Sequence, residues 1–98
     1  MRIVLTPEAE ADLAEAFDWY ERWRQGLGER FLGSVRATLT AILDFPEAYP
    51  VAHGRVRRAR VRGFPYALIY RMSHDVIAVI GCFHTARDPN VWLSRGNS

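Results

Sequence analysis

The residues best suited to chemistry lie near the carboxyl end of the chain, in the stretch F-H-T-A-R-D-P-N-V-W. His84 follows a strongly apolar run, and Arg87, Asp88 and Trp92 come shortly after it. A histidine near arginines could act as a general acid in phosphodiester cleavage, with an arginine stabilising the extra negative charge. The same residues could instead fix the chain locally, through bonds from His84 to Asp88 or to backbone. From these residues alone, both interpretations remain open.

A second charged group lies in the stretch from Val56 to Arg71, V-R-R-A-R-V-R-G-F-P-Y-A-L-I-Y-R. Arg58, Arg60 and Arg62 are spaced by two, so on a strand they share one face and the intervening residues take the other. Folding alone gives no reason to gather like charges about 7 Å apart. The pattern indicates either a solvated sheet face or a surface for an anion, which would be nucleic acid or an acidic protein segment.

Other kinds of site are not indicated. Cys82 is the only cysteine, so neither an internal disulfide nor a cysteine metal site is expected, and its apolar surroundings predict a small buried side chain. His53, His74 and His84 lack the spacing of metal ligands, and His74 is interpreted as a turn residue. No glycine-rich phosphate loop and no nucleophilic serine motif is present. We therefore expect neither a metal nor a cofactor.

Composition points to one globular domain over residues 1–98, with 49% hydrophobic residues. Net charge is +2, but residues 1–49 hold nine acids and five arginines, whereas residues 50–98 hold two acids and eight arginines. All thirteen basic residues are arginine, the side chain suited to bidentate contact with phosphate or carboxylate. The sequence shows neither a signal peptide nor an apolar run long enough to span a membrane, so we expect a cytoplasmic protein without membrane contact.

The amino-terminal half predicts two helices. Thr6 is a good N-cap and Pro7 suits the first helical position, so a helix begins there after a short strand at residues 2–5. Trp19 falls on the acidic face of this helix, with Trp23 at its border, and a large aromatic on a polar face favours a contact surface. A second helix is expected over residues 29–43, forming an antiparallel hairpin with the first.

The carboxyl-terminal half predicts three strands after a loop at residues 47–54. These are the arginine strand, an apolar strand at Tyr66–Arg71, and Val76–Phe83, which is apolar on both faces and therefore belongs in the middle of a sheet. The expected fold class is α+β with the order β-α-α-β-β-β, in which a helical hairpin packs in two layers on an antiparallel sheet.

Three segments in this order carry a family resemblance: L-T-P-E-A-E-A-D-L at the first helix, V-R-G-F-P-Y-A-L-I-Y-R at the hairpin, and F-H-T-A-R-D-P-N-V-W at the end. Over nearly its whole length the chain resembles toxins of the RelE/ParE superfamily of bacterial type II toxin–antitoxin modules, which include plasmid stabilisation systems. The resemblance implies a toxin that a cognate antitoxin wraps and silences.

Within the superfamily, the H-T-A-R-D-P run looks more like the ParE-like branch, which poisons DNA gyrase by binding and is not known as a nuclease. The alternative is a metal-independent endoribonuclease that cleaves mRNA on the ribosome. In such relatives a catalytic arginine commonly occupies the strand position that Ala67 holds here, and lysines used by some of them are absent. His84 itself still matches the ribonuclease branch.

The expected site residues follow from these alternatives. A gyrase poison would bind its target through His84, Arg87, Asp88 and Trp92. A ribonuclease would use His84, Arg62 and Arg87 as catalytic residues. Under either alternative, an acidic antitoxin segment would bind Arg58 and Arg60 together with the aromatic pair Trp19 and Trp23.

Overall fold

The structure is a computed structural model that describes residues 1–87 and 89–96, leaving aside the side chains of residues 91, 92 and 96. It confirms the α+β class and the helical hairpin. Its elements are, in chain order, β1 (Arg2–Leu5), α1 (Pro7–Trp23), α2 (Leu27–Asp44), β2 (Val51–His53), β3 (Val56–Arg60), β4 (Tyr66–Ser73), β5 (Val76–His84) and α3 (Asn90–Gly96). Among the described residues, no helix is both long and apolar enough to span a membrane.

The helical hairpin begins at the predicted cap. The Thr6 hydroxyl accepts a hydrogen bond from the backbone N–H of Ala9 at 3.1 Å, and Pro7 occupies the first turn. The link to α2 is short because Gly26, at φ +87°, turns the chain in a conformation that side chains rarely adopt. Gly28 then lets the helices approach closely, since a Cβ there would lie 2.7 Å from the Phe17 ring.

The sheet has five strands in the order β1-β5-β4-β3-β2. β5 lies between β1 and β4, which confirms the prediction that the strand apolar on both faces is interior. Two details differ from the predicted antiparallel sheet of four strands. β1 pairs with β5 in parallel, so the sheet is mixed, and the predicted loop at residues 47–54 contains β2, an edge strand beside β3. The first part of the arginine strand is therefore interior, since β2 pairs with Val56 and Arg57, and only its later residues lie at the sheet edge.

Each face of the sheet has its own apolar cluster. One face packs against α1 and α2 around Phe31, Leu68 and Tyr70, which are fully buried. The opposite face buries a smaller cluster of Val56, Ile69, Ile80 and Phe83, against which Leu93 of α3 packs. Helix α3 was not predicted, and it places a third helix on the face that the two-layer expectation left uncovered.

The register between β4 and β5 shifts once. Tyr70 pairs with Val79 and Ile69 pairs with Gly81, so Ile80 is an additional residue in β5, a β-bulge. Gly81 is required in this bulge, because a Cβ there would lie 2.4 Å from the Phe83 ring and 2.9 Å from an Arg95 nitrogen. After the bulge, Cys82 belongs to the helix-side cluster and Phe83 to the opposite one.

Candidate functional site: a cleft between the first helix and the end of the central strand

A cleft of about 550 Å³ separates α1 from the paired ends of β4 and β5. One wall is formed by α1, with Glu15, Trp19 and Arg22 among its side chains. The other wall is formed where β4 begins and β5 ends, and it includes His84 and Arg87. The cleft thus brings together residues that are about 65 positions apart in the sequence. It joins Trp19, which was assigned to the antitoxin, with two residues assigned to the target.

His84 is held by its own turn. Its Nδ1 accepts a hydrogen bond from the backbone N–H of Ala86 at 3.1 Å, and its ring meets that of Tyr66 edge to face at 5.4 Å. Because Nδ1 accepts, the neutral imidazole carries its proton on Nε2 and offers a donor there. This bond fixes the orientation of the ring, and the neutral imidazole can donate from Nε2.

The turn that carries Arg87 is anchored to the start of β4. The backbone N–H of Thr85 donates to the carbonyl of Pro65 at 2.8 Å, and that of Arg87 donates to the carbonyl of His84 at 3.0 Å. These bonds fix the backbone while the Arg87 side chain stays exposed at the mouth of the cleft. A guanidinium in this position can bind a carboxylate or phosphate of a ligand that enters the cleft.

The two tryptophans lie on the solvent side of α1, as the helical period predicts. Trp19 is 48% exposed and Trp23 is 74% exposed, and their rings stack with centroids 5.9 Å apart. Trp19 lines the cleft, whereas Trp23 lies one helical turn further along α1 and is not among the lining residues. An exposed stacked pair of this size is typical of a protein contact surface.

Tyr66 was missed by the sequence analysis although it forms part of the cleft. It pairs directly with His84 across the β4–β5 hairpin. Burial, and after it the nearby Cys82, raises the pKa of the Tyr66 phenol, so the hydroxyl is a neutral donor at physiological pH. Hairpin register could have revealed this neighbour, had the bulge at Ile80 been foreseen.

The other predicted site residues lie elsewhere. Arg62 follows β3 in the turn before β4 and does not line the cleft, so the structure does not bring together the three candidate catalytic residues. Arg58 and Arg60 pair with Ile69 and Ala67, which places them on the sheet face opposite α1 and α2. The predicted antitoxin site is thus divided between two faces. Asp88 and the side chain of Trp92 lie outside the described residues.

Asp12, which also lines the cleft, joins three elements. β1 ends at Leu5, and Asp12 Oδ2 accepts the hydrogen bond of the Cys82 backbone N–H at 3.0 Å on that open edge of β5. Arg95 of α3 reaches around the same edge, bonding Asp12 at 2.7 Å and the Ile80 carbonyl at 3.1 Å. By the helical period Asp12 falls on the acidic face of α1, but its side chain turns toward the sheet edge and not to solvent.

The thiol of Cys82 is 4% exposed, as predicted for a small buried side chain. Burial, with a smaller contribution from the Asp12 carboxylate, raises the pKa of this thiol from 9.0 to about 12. Because the pKa is higher in the folded state, the unfolded chain releases the thiol proton first as pH rises. The contribution of Cys82 to the free energy of unfolding is therefore fully present below pH 9 and is lost as pH rises toward 12.

We expect the free energy of unfolding to fall by about 2 kcal/mol between pH 9 and 11 through Cys82 alone. Urea denaturation at a series of pH values measures this. The Cys82→Ala variant is the control, because it retains the alkaline loss from Tyr70, whose pKa burial raises to about 12, but lacks the cysteine contribution. If the free energy of unfolding fell equally steeply with pH in the parent protein and in Cys82→Ala, the prediction would be contradicted.

Comparison with known proteins identifies the family. A family model described as the ParE toxin of the type II toxin–antitoxin system, parDE, matches residues 3–89. A solved structure described as the chromosomal ParDE TA system from P. aeruginosa is similar, with a TM-score of 0.66 and 19% identity over 86% of this chain and 95% of that chain. At this identity the likeness supports the fold. No curated protein gives a significant match. The resemblance noted in the sequence is confirmed, and the chain belongs to the ParE toxin family of type II toxin–antitoxin systems.

Proposed function

We propose that this toxin inhibits DNA gyrase by binding it through the cleft, without catalysing a reaction. The observation that carries the proposal is the grouping of Trp19, His84 and Arg87 in one cleft. A ribonuclease would need its catalytic groups together, and Arg62 lies outside the cleft that holds His84 and Arg87. His84 and Arg87 instead offer hydrogen-bond donors to a target group in the cleft.

The position of Ala67 supports the same conclusion. Ala67 is buried on the sheet face opposite the helices, beside Arg60, whereas His84 lines the cleft on the helix side. The strand position that carries an arginine in ribonuclease relatives is therefore separated from His84 by the sheet. With alanine there, no cation is available at that position to stabilise a transition state.

Membership of a toxin family implies a cognate antitoxin, and the cleft suggests how it silences the toxin. We propose that the antitoxin covers Trp19 and Trp23 and in doing so closes the cleft that contains His84 and Arg87. The antitoxin and the target would then compete for the same surface. The prediction that Arg58 and Arg60 also bind the antitoxin would require a segment that continues onto the opposite face of the sheet.

The proposal is tested by adding purified toxin to a gyrase supercoiling reaction. Micromolar toxin should block supercoiling or trap cleaved DNA, and Arg87→Gln should raise the concentration for half-inhibition by about tenfold or more, since it removes a charged hydrogen-bond donor. Arg36→Gln is a matched control, because this arginine is equally exposed but lies on α2 away from the cleft. The same proteins are added to ribosomes programmed with mRNA. If the toxin left supercoiling unaffected but cleaved mRNA on the ribosome, and if His84→Ala abolished that cleavage, the protein would be the endoribonuclease instead.

A further inference from the structure

On the sheet face opposite α1 and α2, the described strands place arginine side chains but no acidic side chain. We call this face the arginine face and define it by Arg58 and Arg60 of β3, with Arg71 of β4 on the same side by register. The strands β3, β4 and β5, which form most of this face, contain no aspartate or glutamate. Arg58 and Arg60 are both exposed. Within residues 1–87 and 89–96, neither guanidinium has a hydrogen-bond or ion-pair partner.

These two arginines do not serve the fold, as their neighbour Arg57 shows. Arg57 points to the helix side, where it donates to the Tyr49 carbonyl at 2.6 Å and to the Glu47 carbonyl at 3.2 Å, thereby fixing the loop before β2. Arg58 and Arg60, in contrast, stand about 7 Å apart and repel each other. An anionic ligand would relieve that repulsion.

The surroundings of the arginines favour nucleic acid over a protein segment. A protein interface needs exposed apolar or aromatic side chains at its centre. None of the exposed large apolar side chains of the described chain lies in β3, β4 or β5. The tryptophans and Phe45 are on the helices or just beyond them, and Val51 is on β2. The arginine face thus offers charge without apolar anchors, which is the character of a phosphate-binding surface.

Among the described side chains of this face, none offers an exposed aromatic ring of the kind that holds single strands. Unpaired bases are held by stacking on exposed aromatic rings. Phe83, the aromatic residue of the apolar cluster on this face, is 4% exposed and covered by the Arg95 guanidinium at 4.7 Å. We propose that the arginine face binds the phosphate backbone of duplex DNA, independently of sequence. This proposal does not depend on the target that the cleft binds.

Fluorescence anisotropy with a labelled duplex of about 20 base pairs tests the proposal through salt dependence. Each phosphate contact contributes about 0.9 to the slope of log affinity against log salt, so Arg58 and Arg60 together contribute about 1.8. The double variant Arg58→Gln/Arg60→Gln should show a slope that is smaller by this amount. Between 50 and 200 mM salt, these two contacts cost the parent protein about tenfold in affinity. The double variant lacks the contacts, so its affinity should fall by about tenfold less over the same range.

The control is Arg30→Gln/Arg36→Gln, which removes the same charge from exposed positions of α2 and should leave the slope unchanged. Equal effects of the two double variants would mean that net charge alone attracts the DNA, and the proposal would fall. It would also fall if a single strand of the same sequence, or duplex RNA, bound more tightly than duplex DNA. Tighter binding of a labelled poly-glutamate chain, lost in Arg58→Gln/Arg60→Gln, would assign the face to an acidic protein such as the antitoxin. If Arg58→Gln/Arg60→Gln still inhibited gyrase as the parent does, the proposal for the cleft would stand whatever the DNA-binding result.

Discussion

Replacing Trp19 with alanine is expected to weaken the toxin in both of its proposed interactions. Affinity for the cognate antitoxin and potency against gyrase should each fall by at least about 30-fold, because removing a central aromatic anchor costs about 2 kcal/mol or more. The expectation follows from the place of Trp19 in the cleft wall opposite His84 and Arg87. Calorimetric titration with the antitoxin and a supercoiling assay measure the two effects.

Trp23→Ala is the matched variant that separates the two interactions. Trp23 stacks on Trp19 but does not line the cleft, so its loss should weaken antitoxin binding and leave gyrase inhibition within about threefold of the parent. Thermal unfolding should be little changed in both variants, since both rings are well exposed. If Trp19→Ala impaired antitoxin binding and left gyrase inhibition intact, the two partners would not share the cleft.

The second large effect is expected on stability, from Asp12→Ala. This change leaves the Cys82 N–H without its acceptor and removes the carboxylate that Arg95 binds. Losing a charged acceptor from a half-buried junction costs about 3 kcal/mol, because both former partners remain desolvated. Urea denaturation near neutral pH measures the loss, which should accompany increased protease susceptibility of α3.

Two further variants define the origin of that loss. Asp12→Asn keeps an oxygen acceptor for Cys82 and should recover part of the stability, whereas Asp18→Ala, an exposed acid on the same helix, should change it by less than about 0.5 kcal/mol. A destabilisation by Asp18→Ala as large as that by Asp12→Ala would show that helix charge, not the junction, is responsible.

Local rules predicted the elements that local chemistry determines. Thr6 and Pro7 marked the start of α1, and the apolar run from Val76 marked the interior strand, because caps and periodicity act within a few residues. β2 was missed because three exposed residues between Pro50 and Gly54 carry no periodic signal. Helix α3 was missed because its stability depends on Leu93 and Arg95 reaching distant parts of the sheet.

The sequence indicated some residues of the candidate site but not their grouping, and it missed Tyr66. His84, Arg87 and Trp19 were each singled out by type and position. Their convergence in one cleft depends on how α1 lies across the sheet, which no local pattern specifies. The separation of Arg58 and Arg60 from the tryptophans has the same cause, since a strand pattern shows which residues share a face but not which face the helices cover.

The additional residue in β5 decides which partner His84 can meet. In a strand of unbroken alternation, residues 82 and 84 would point away from Val79, toward the side that carries Arg58 and Arg60. Because Ile80 is inserted, the later part of β5 is displaced by one position, and His84 opens into the cleft. The bulge therefore acts as a frame change within the folded protein, because the residues after it take the opposite face from the one that their numbers would give. Deleting Ile80 would remove only the additional residue, and His84 would stay opposite Tyr66 in the cleft, because Gly81 and the residues after it already pair with β4 as in an unbroken ladder.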